Sequence, residues 1–393
     1  MTRATALAAL ALFSWVGGMG SCCAQAIDVR VLGALGDGKA DDTAAFVKAA
    51  EQARAERRGV FVPRGLYRLA RPVVLDGVAL TGPEGAAWNA DVDAQPVLVP
   101  THRDGPAVEL KSGGGLRGVT IRYEWPKEPE TGPPAVLVSG VGAFVSNAKI
   151  MYPWDGIVTD GISNVGRLNV ENVFIVSPRN VGVRVTGTWD VPALRNVEVW
   201  NAGPVERGLS KGVGFDLGKN DLIRLSDCFA FAMATGFLLR DEIPGAKIKG
   251  GTWGTMANCA TDFCGVGILV RGEHTVSITG GTFWDHHEGL LVEGEKARVR
   301  LNGAEVRSNG APAIRVQSAD HVVVTGCSVL RQMEGHHPPT VELTGGRTVL
   351  QGNVIDGLGV GVRIGPGVKA AELSGNLIEA AAHAKIDDQR GRK

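Results

Sequence analysis

The chain has 393 residues, with 41 lysines and arginines, 41 aspartates and glutamates, and a formal net charge of zero. Because no excess of positive charge and no basic run is present, the composition excludes the usual nucleic-acid-binding proteins and proteins that dock on anionic membranes. Glycine contributes 55 residues, about twice its usual share of ~7%, which indicates many sharp turns.

Residues 1–26 have the three parts of a secretory signal. Met1-Thr2-Arg3 is a basic start, the segment from Ala6 to Val16 is mostly apolar, and Ala24-Gln25-Ala26 has the small-residue pattern of a cleavage site. We therefore predict a secreted or periplasmic protein, with lipid attachment at Cys22 as a weaker alternative. No later segment approaches the ~20 apolar residues that span a bilayer.

Residues 27–82 are predicted to form an N-terminal cap and the first rungs of the fold. Asp41, Asp42 and Thr43 supply side-chain acceptors and negative charge at a helix start. An apolar helix face follows, made of Phe46, Val47, Ala50 and Ala53. The short helix would cover the open end of a repeated structure, so these acids are predicted to be structural.

A short strand phrase then recurs at steps of 21 to 32 residues, usually opening on glycine and an apolar residue. Its nine copies begin at Gly156, Gly182, Gly214, Gly236, Gly267, Gly289, Ala313, Thr340 and Gly361. A second strand phrase ends on Gly250, Gly280, Gly303, Gly326, Gly352 and Gly375.

Such a period without helices is typical of a solenoid, whereas the strands of a β-sandwich need not repeat at a fixed interval. We predict an all-β fold, a right-handed single-stranded parallel β-helix with a short N-terminal capping helix. Its rungs fill residues 83–382, and the polar tail 383–393 is expected to fray.

Four cysteines follow the predicted signal. Export would permit a disulfide between Cys259 and Cys264, which are close in sequence, and Cys228 and Cys327 are expected to pack as small buried groups. No paired CxxC spacing supports a zinc site.

The segments 27–46 and 59–67, continued by the repeats, resemble the opening of the pectate-lyase-like superfamily, which includes rhamnogalacturonase/epimerase-like proteins, polygalacturonases and phage tailspikes. The resemblance implies a β-helix whose reactive residues lie on one lateral sheet and the loops beside it. It also implies an exported enzyme acting on a polysaccharide, as a glycoside hydrolase or a polysaccharide lyase on an acidic polymer.

Two places carry acids directly before a strand of the repeat. Asp155 follows Trp154, and its Asp-Gly-Ile resembles the end of a polygalacturonase motif, but the other polygalacturonase motifs are absent. Glu288 lies five repeats later, about 24 Å away at ~4.8 Å per rung. Glycosidase carboxyl pairs lie ~5–9.5 Å apart, so these two acids cannot form one pair.

The segment Trp284-Asp285-His286-His287-Glu288 is the densest cluster of ionisable groups in the chain. Asp262 lies at a similar position one repeat earlier, so a pair of interacting carboxyls could supply an acid and a base. We predict catalytic roles for Asp262, Asp285, His287 and Glu288. Substrate contacts are predicted for Trp284, His286, Arg307, Asn309 and His336, with Trp154 and Asp155 at the distant place.

The hydrolase and lyase versions remain open at this point. In the first, Asp285 or Glu288 protonates the leaving oxygen and Asp262 activates water; in the second, His287 or Arg307 removes a proton beside a uronate carboxyl. No cofactor is predicted. Calcium would need converging oxygen ligands that the sequence does not display, and a metal held by the histidines is a weaker interpretation still.

The alternative is a non-catalytic carbohydrate-binding or surface β-helix protein, because a fold does not determine a function. The arrangement of Asp262, Asp285 and Glu288 discriminates the two: an enzyme needs them to converge in one groove. The predicted partner is a polysaccharide in either case, and the sequence does not indicate an oligomeric state.

Overall fold

The computed structural model describes residues 25–83, 95–127, 129–201, 211–332, 338–380 and 384–391. Its strands coil into a parallel β-helix made of two sheets, and each strand pairs in parallel with the equivalent strand of the next turn. One turn contributes one strand to sheet I and then one or two strands to sheet II. The predicted β-helix is confirmed.

Sheet I has 13 strands among the described residues. They are Val73–Leu75, Val108–Leu110, Pro134–Val138, Asp155–Thr159, Val181–Val185, Val213–Leu217, Thr235–Arg240, Val266–Arg271, Leu290–Val292, Ile314–Val316, Val341–Leu343, Val362–Ile364 and Ile386–Asp388. All nine copies of the first repeated phrase fall on these strands, and in four of them the opening residue comes directly before the strand: Gly289, Ala313, Thr340 and Gly361. The sequence pattern missed the first three strands and the last one.

Sheet II has 25 strands among the described residues. They are Ile27–Asp28, Asp37–Asp41, Val60–Phe61, Leu66–Leu69, Ala79–Thr81, Val97–Pro100, Gly115–Arg117, Thr120–Arg122, Phe144–Met151, Asn169–Val176, Ala193–Trp200, Asn220–Ser226, Phe229–Phe231, Thr252–Ala257, Ala260–Asp262, Thr275–Thr279, Thr282–Asp285, Arg298–Asn302, Glu305–Ser308, His321–Thr325, Ser328–Arg331, Gly346–Gln351, Val354–Gly357, Val368–Ser374 and Leu377–Ala380.

A corner divides sheet II into a first and a second half, and one residue per turn adopts a left-handed conformation there with φ between 49° and 65°. These residues are Gly118, Asn147, Asn172, Asn196, Asp227, Asn258, Gly280, Gly303, Gly326, Gly352 and Gly375. Glycine, asparagine and aspartate tolerate this conformation best. The glycines of the second repeated phrase thus mark the corner, except Gly250, whose preceding residues 247–249 form no strand.

The glycine that opens the first phrase has a different role, because it lies where sheet I approaches the inner side chains of sheet II. A side-chain carbon on Gly156 would lie 2.9 Å from Ile175 Cδ1, and one on Gly214 would lie 2.8 Å from Ala230 Cβ. The interior between the sheets is a single long core of buried aliphatic and aromatic residues. Glycine at this position therefore lets the two sheets pack closely.

The helix α1 (Thr43–Glu56) covers the N-terminal end of the core, after a short 3-10 helix at Val29–Leu32. The Asp41 carboxylate accepts a hydrogen bond from the Thr43 N–H at 3.0 Å, and the buried Asp42 carboxylate accepts one from the Leu35 N–H at 2.6 Å. These contacts agree with the predicted structural role of the two acids. Phe46 packs edge-on against Tyr67 with ring centroids 5.3 Å apart.

Two expectations about the chain ends and cysteines are corrected. The tail does not fray throughout, because Ile386–Asp388 adds the last strand of sheet I beside Val362–Ile364. The described cysteines are free thiols, and Cys228, Cys259 and Cys264 are buried, so the disulfide between Cys259 and Cys264 is not formed.

Residues 1–24 lie outside the described part of the chain, so the predicted signal and the alternative at Cys22 stay predictions. In the described residues, no helix is both long enough and apolar enough to cross a membrane.

Candidate functional site

An open cleft of about 330 Å³ lies on the outer surface of the second half of sheet II. It is lined by Asp262, Phe263, Trp284, Arg307 and Asn309. The strand register places Asp262 beside Trp284, and Trp284 beside Arg307, on three successive turns. The structure therefore brings together four of the predicted site residues, and Phe263 is an addition.

The alternation of the strands explains why these side chains face outward. Thr261, Phe283 and Val306 are buried in the core, so the residues that follow them point to the opposite face. Trp284 is 40% exposed, and the Arg307 guanidinium lies 5.1 Å from the centre of its ring. This distance is that of a cation–π contact, which holds both side chains at the cleft.

The carboxyl group of the cleft is less acidic than an ordinary aspartate. Partial burial raises the pKa of Asp262, while the backbone N–H of Phe263 and the charge of His286 act in the opposite direction. His286 is close by, with its ring 5.5 Å from the ring of Phe263. The Asp262 carboxyl is therefore within electrostatic reach of the His286 imidazole, which packs against Phe263 of the cleft.

Asp285 does not reach the cleft, which corrects the prediction that it lies in the groove. It is 1% exposed, and its carboxyl accepts hydrogen bonds from Thr261 Oγ1 at 2.6 Å and from the Cys264 N–H at 3.1 Å. Burial raises its pKa to about 8. The side chain occupies the space that a side chain at Gly267 would need, so Asp285 is a buried structural group whose raised pKa favours the neutral form at pH 7.

Glu288 and His287 also lie apart from the cleft residues. Glu288 is buried at the edge of sheet I and forms an ion pair with Arg315 at 3.2 Å. His287 is exposed beside Gly310. The three acids of the predicted catalytic set thus spread over an outer surface, the interior and another sheet, rather than converging. His336 lies outside the described residues.

Asp155 forms a separate place on sheet I. The register carries it through Val181, Val213, Thr235 and Val266 to the turn of Glu288, which is five turns away. Burial raises its pKa, while two partners oppose this: Arg184 at 3.7 Å, and Asn180, which donates a hydrogen bond at 2.7 Å. Trp154 beside it is half-buried.

A row of aromatic side chains continues from the cleft along the second half of sheet II. Successive ring centroids from Phe174 to Trp200, Phe231 and Phe263 are 5.8, 6.0 and 5.9 Å apart, and His286 ends the row. The sequence analysis did not identify this row. What these aromatic residues share is an outward-facing position on successive turns. That position can be assigned from the sequence only when the corner residue of each turn is known.

Glu198 is the second functional candidate that sequence reasoning missed. The register places it between Phe174 and Phe229, and no described residue forms a hydrogen bond or ion pair with its carboxyl. It is only 9% exposed, and burial raises its pKa to about 7. A carboxyl that titrates near neutral pH on a ligand-facing surface is a frequent feature of functional sites.

Within the described ranges, no three His, Cys, Asp or Glu side chains come together as ligands for a metal ion. The histidine cluster considered from the sequence includes residues outside those ranges. The expectation that the protein uses no cofactor, with calcium unsupported by a ligand cluster, stays a prediction.

Comparison with known proteins agrees with this architecture. A family model described as rhamnogalacturonase A/epimerase, pectate lyase-like, matches residues 26–96. No curated protein sequence matches the chain. Among solved structures, the A-module of mannuronan C-5 epimerase AlgE6 from Azotobacter vinelandii is 18% identical, with a TM-score of 0.61, and the match covers 92% of this chain and 95% of that one.

Two further solved structures have the same fold. The catalytic unit of a thermostable GH87 alpha-1,3-glucanase from Streptomyces thermodiastaticus is 16% identical (TM-score 0.52; 90% of this chain, 69% of that one). The surface protein and adhesin PfbA of Streptococcus pneumoniae is 13% identical (TM-score 0.54; 93% and 100%). Identities this low show that the fold is shared, and they do not show that an activity is shared. The family model matches the N-terminal segment alone, and what the solved structures show for the rest of this chain is the parallel β-helix fold.

Proposed function

We propose that the protein is exported and binds an acidic polysaccharide in the cleft of Asp262, Trp284 and Arg307, where it acts on a uronate unit. The observation that carries the proposal is the register, which sets a carboxyl, an indole and a guanidinium on three successive turns of one surface. A sugar chain lying along the helix axis would meet all three groups in order.

Each group has a chemical task toward such a ligand. The half-exposed face of Trp284 suits the apolar face of a pyranose ring. Arg307 has no carboxylate partner among the described residues, although it donates a hydrogen bond to the Gln332 side chain. Its planar guanidinium is suited to pair with the carboxylate of a uronate. The ligand would supply the anion that the protein lacks here.

The reaction that fits these groups begins with removal of the proton on the carbon that carries the carboxylate. Arg307 neutralises the carboxylate and stabilises the negative charge that develops on its oxygens. His286 and Asp262 are the proton-transferring groups in reach of the cleft, and the raised pKa of Asp262 suits a proton donor. Delivery of a proton to the opposite face of that carbon gives an epimer. Expulsion of the glycosidic oxygen on the adjacent carbon, protonated by the acid as its C–O bond breaks, gives the unsaturated lyase product.

Hydrolysis has less support, because it needs two carboxyls ~5–9.5 Å apart that both face the substrate. Asp285, whose pKa the charge of Asp262 helps to raise, is buried in the interior. Glu288 is paired with Arg315. The cleft thus offers one carboxyl among the described residues.

A second candidate function is binding without catalysis. It is favoured by the dispersal of Asp262, Asp285 and Glu288, and by the aromatic row, which can hold a chain without any reaction. One of the structural neighbours is a surface adhesin.

The test uses purified full chain with polyuronate oligosaccharides and neutral oligosaccharides of equal length. Calorimetry measures binding, absorbance detects unsaturated lyase products, and NMR of the sugar detects epimers. We expect polyuronate binding that Arg307→Ala weakens roughly ten- to a hundredfold, and a product that Asp262→Asn removes while binding remains. Binding without any product would establish the second candidate. Absence of polyuronate binding would overturn both.

A further inference from the structure

A second surface with exposed tryptophans lies apart from the cleft. Trp253 is in the strand Thr252–Ala257 of the first half of sheet II, and Trp189 follows the bridge residue Thr188 in the bend before the strand Ala193–Trp200. Trp189 is 49% exposed and Trp253 is 47% exposed, which makes them the most exposed tryptophans of the described chain. Neither has a place in the proposed reaction, and neither packs in the core.

A buried ladder of polar residues fixes the positions of these two indoles. Thr188 Oγ1 donates to Asn220 Oδ1 at 2.9 Å, Asn220 Nδ2 donates to Thr252 Oγ1 at 3.1 Å, and the Thr252 N–H donates to His274 Nδ1 at 2.9 Å. All four side chains are fully buried or nearly so. Their register on successive turns is therefore rigid.

Trp189 and Trp253 directly follow ladder residues two turns apart, with Asp221 on the turn between them. Two rung spacings amount to about 9.6 Å, which is close to the length of two sugar units in an extended pyranose chain. Trp253 Nε1 donates to Asp221 Oδ1 at 3.2 Å, so its ring is held on the surface rather than left free.

The protein surface beside Trp253 is polar, and its positive and negative charges are paired. An open cleft of about 380 Å³ lies there, lined among others by Lys219, Lys249, Gly251 and Glu273. Lys219 pairs with Asp221, Lys249 with Glu242 at 2.8 Å, and Lys296 with Glu273 at 3.2 Å. Each of these three lysines already has a carboxylate partner, so none of the three is free to pair with a uronate.

We propose that Trp189 and Trp253 form a second carbohydrate-binding surface, which holds a neutral polysaccharide with alternate sugar rings on the two indoles. Separate rings surrounded by hydrogen-bonding groups match a sugar chain, which has apolar ring faces and hydroxyl edges. A protein partner would instead require a continuous apolar patch. This inference goes beyond the proposed function and does not depend on it.

The test is calorimetric titration of the full chain with a neutral β-1,4-linked glucose hexasaccharide and, separately, with a polyuronate hexasaccharide. We expect Trp189→Ala and Trp253→Ala each to weaken neutral binding roughly three- to tenfold, the effect of one lost aromatic contact, and to leave polyuronate binding unchanged. Trp284→Ala is the matched control, which should do the reverse.

Unchanged melting temperatures will show that the variants fold. NMR of the unmodified protein gives an independent reading, since the indole N–H signals of Trp189 and Trp253 should shift with the neutral hexasaccharide. No neutral binding, or neutral binding that survives both substitutions, would overturn the proposal even if the cleft binds polyuronate. If only polyuronate binding fails, the proposed function is refuted, and the proposal of neutral-sugar binding at Trp189 and Trp253 is retained.

Discussion

The outer columns of sheet I and of the second half of sheet II use charged residues in opposite ways. On sheet I the fully buried Asp216 accepts hydrogen bonds from Arg184 and Arg240, each at 2.8 Å, and Arg315 lies 3.2 Å from Glu288. On sheet II, Asp262 and Glu198 have no basic partner of this kind among the described residues. Ion pairs between turns neutralise these charges of sheet I, whereas the second half of sheet II leaves Asp262 and Glu198 available to a ligand.

The largest expected effect concerns Asp285, the acid that is buried in the interior beneath the cleft surface. Its folded pKa of about 8 is raised above an unfolded value of about 3.9, so its contribution to stability is fully present below pH ~4 and is lost as pH rises to about 8. Asp285→Asn imitates the neutral acid. We expect the variant's free energy of unfolding to exceed that of the wild type by several kcal/mol at pH 8, and by little at pH 4.

Urea unfolding at a series of pH values measures this difference. A stability difference that does not change with pH, together with lost activity, would return Asp285 to the catalytic set.

Next in size is the loss of a paired acid on sheet I. Asp216→Ala should lower the free energy of unfolding by about 3 kcal/mol, because Arg240 would lose its carboxylate partner and Arg184 would keep only the more distant Asp155 at 3.7 Å. The matched control is Asp262→Ala, whose effect should stay within about 0.5 kcal/mol. Thermal and urea unfolding compare the two, and equal losses would break the contrast between the sheets.

A smaller effect is expected when one arginine on each sheet is replaced and polyuronate affinity is measured. Arg307→Ala should weaken polyuronate binding by about 1.5–3 kcal/mol, or roughly ten- to a hundredfold, through loss of a charged hydrogen bond. Arg315→Ala removes an arginine that is already paired with Glu288 and Glu342, so binding should not change. Calorimetry with one polyuronate oligosaccharide measures both variants, and similar losses would contradict the assignment of the cleft.

The smallest expected effect belongs to Glu198. Its pKa is raised to about 7, so its stabilising contribution falls as pH rises from about 4.3 to 7. The group is close to the surface, where solvent screens part of the shift, so Glu198→Gln should gain only about 1 kcal/mol at pH 8 and almost nothing at pH 4. A carboxyl titration by NMR checks the pKa directly; an ordinary glutamate value would remove Glu198 from the ligand-facing groups.

The fold was predictable from the sequence because its determinants are local and repeated. Gly280 and Gly303 mark the corner, and Gly156 and Gly214 mark the close approach of the sheets, so the period is visible in the letters. The earliest strands of sheet I were missed because they lack the opening glycine. Val73–Leu75, for example, follows a proline.

The site was only partly predictable, because residue spacing does not by itself determine which face of the sheet a side chain points to or which residues form ion pairs. Asp262 and Asp285 belong to neighbouring turns with similar sequence positions, but Asp285 comes one residue later in the register and points inward. The pairing of Glu288 with Arg315, 27 residues later, could not be anticipated either. Repeat position did predict that Asp262 and Arg307 lie within about a turn of the Trp284 segment, and the structure brings both into the cleft; their roles stay predictions.

The uniform corner of sheet II has a consequence for how such a protein could change. Each turn pairs only with its two neighbours, and nearly every turn of sheet II has a residue in the same left-handed conformation at its corner. A whole turn can therefore be inserted or deleted while the remaining turns keep their geometry. Removing one between Trp200 and Asp262 would shorten the aromatic row by about one rung while leaving the cleft intact. The length of glycan held and the chemistry at its end could therefore evolve independently.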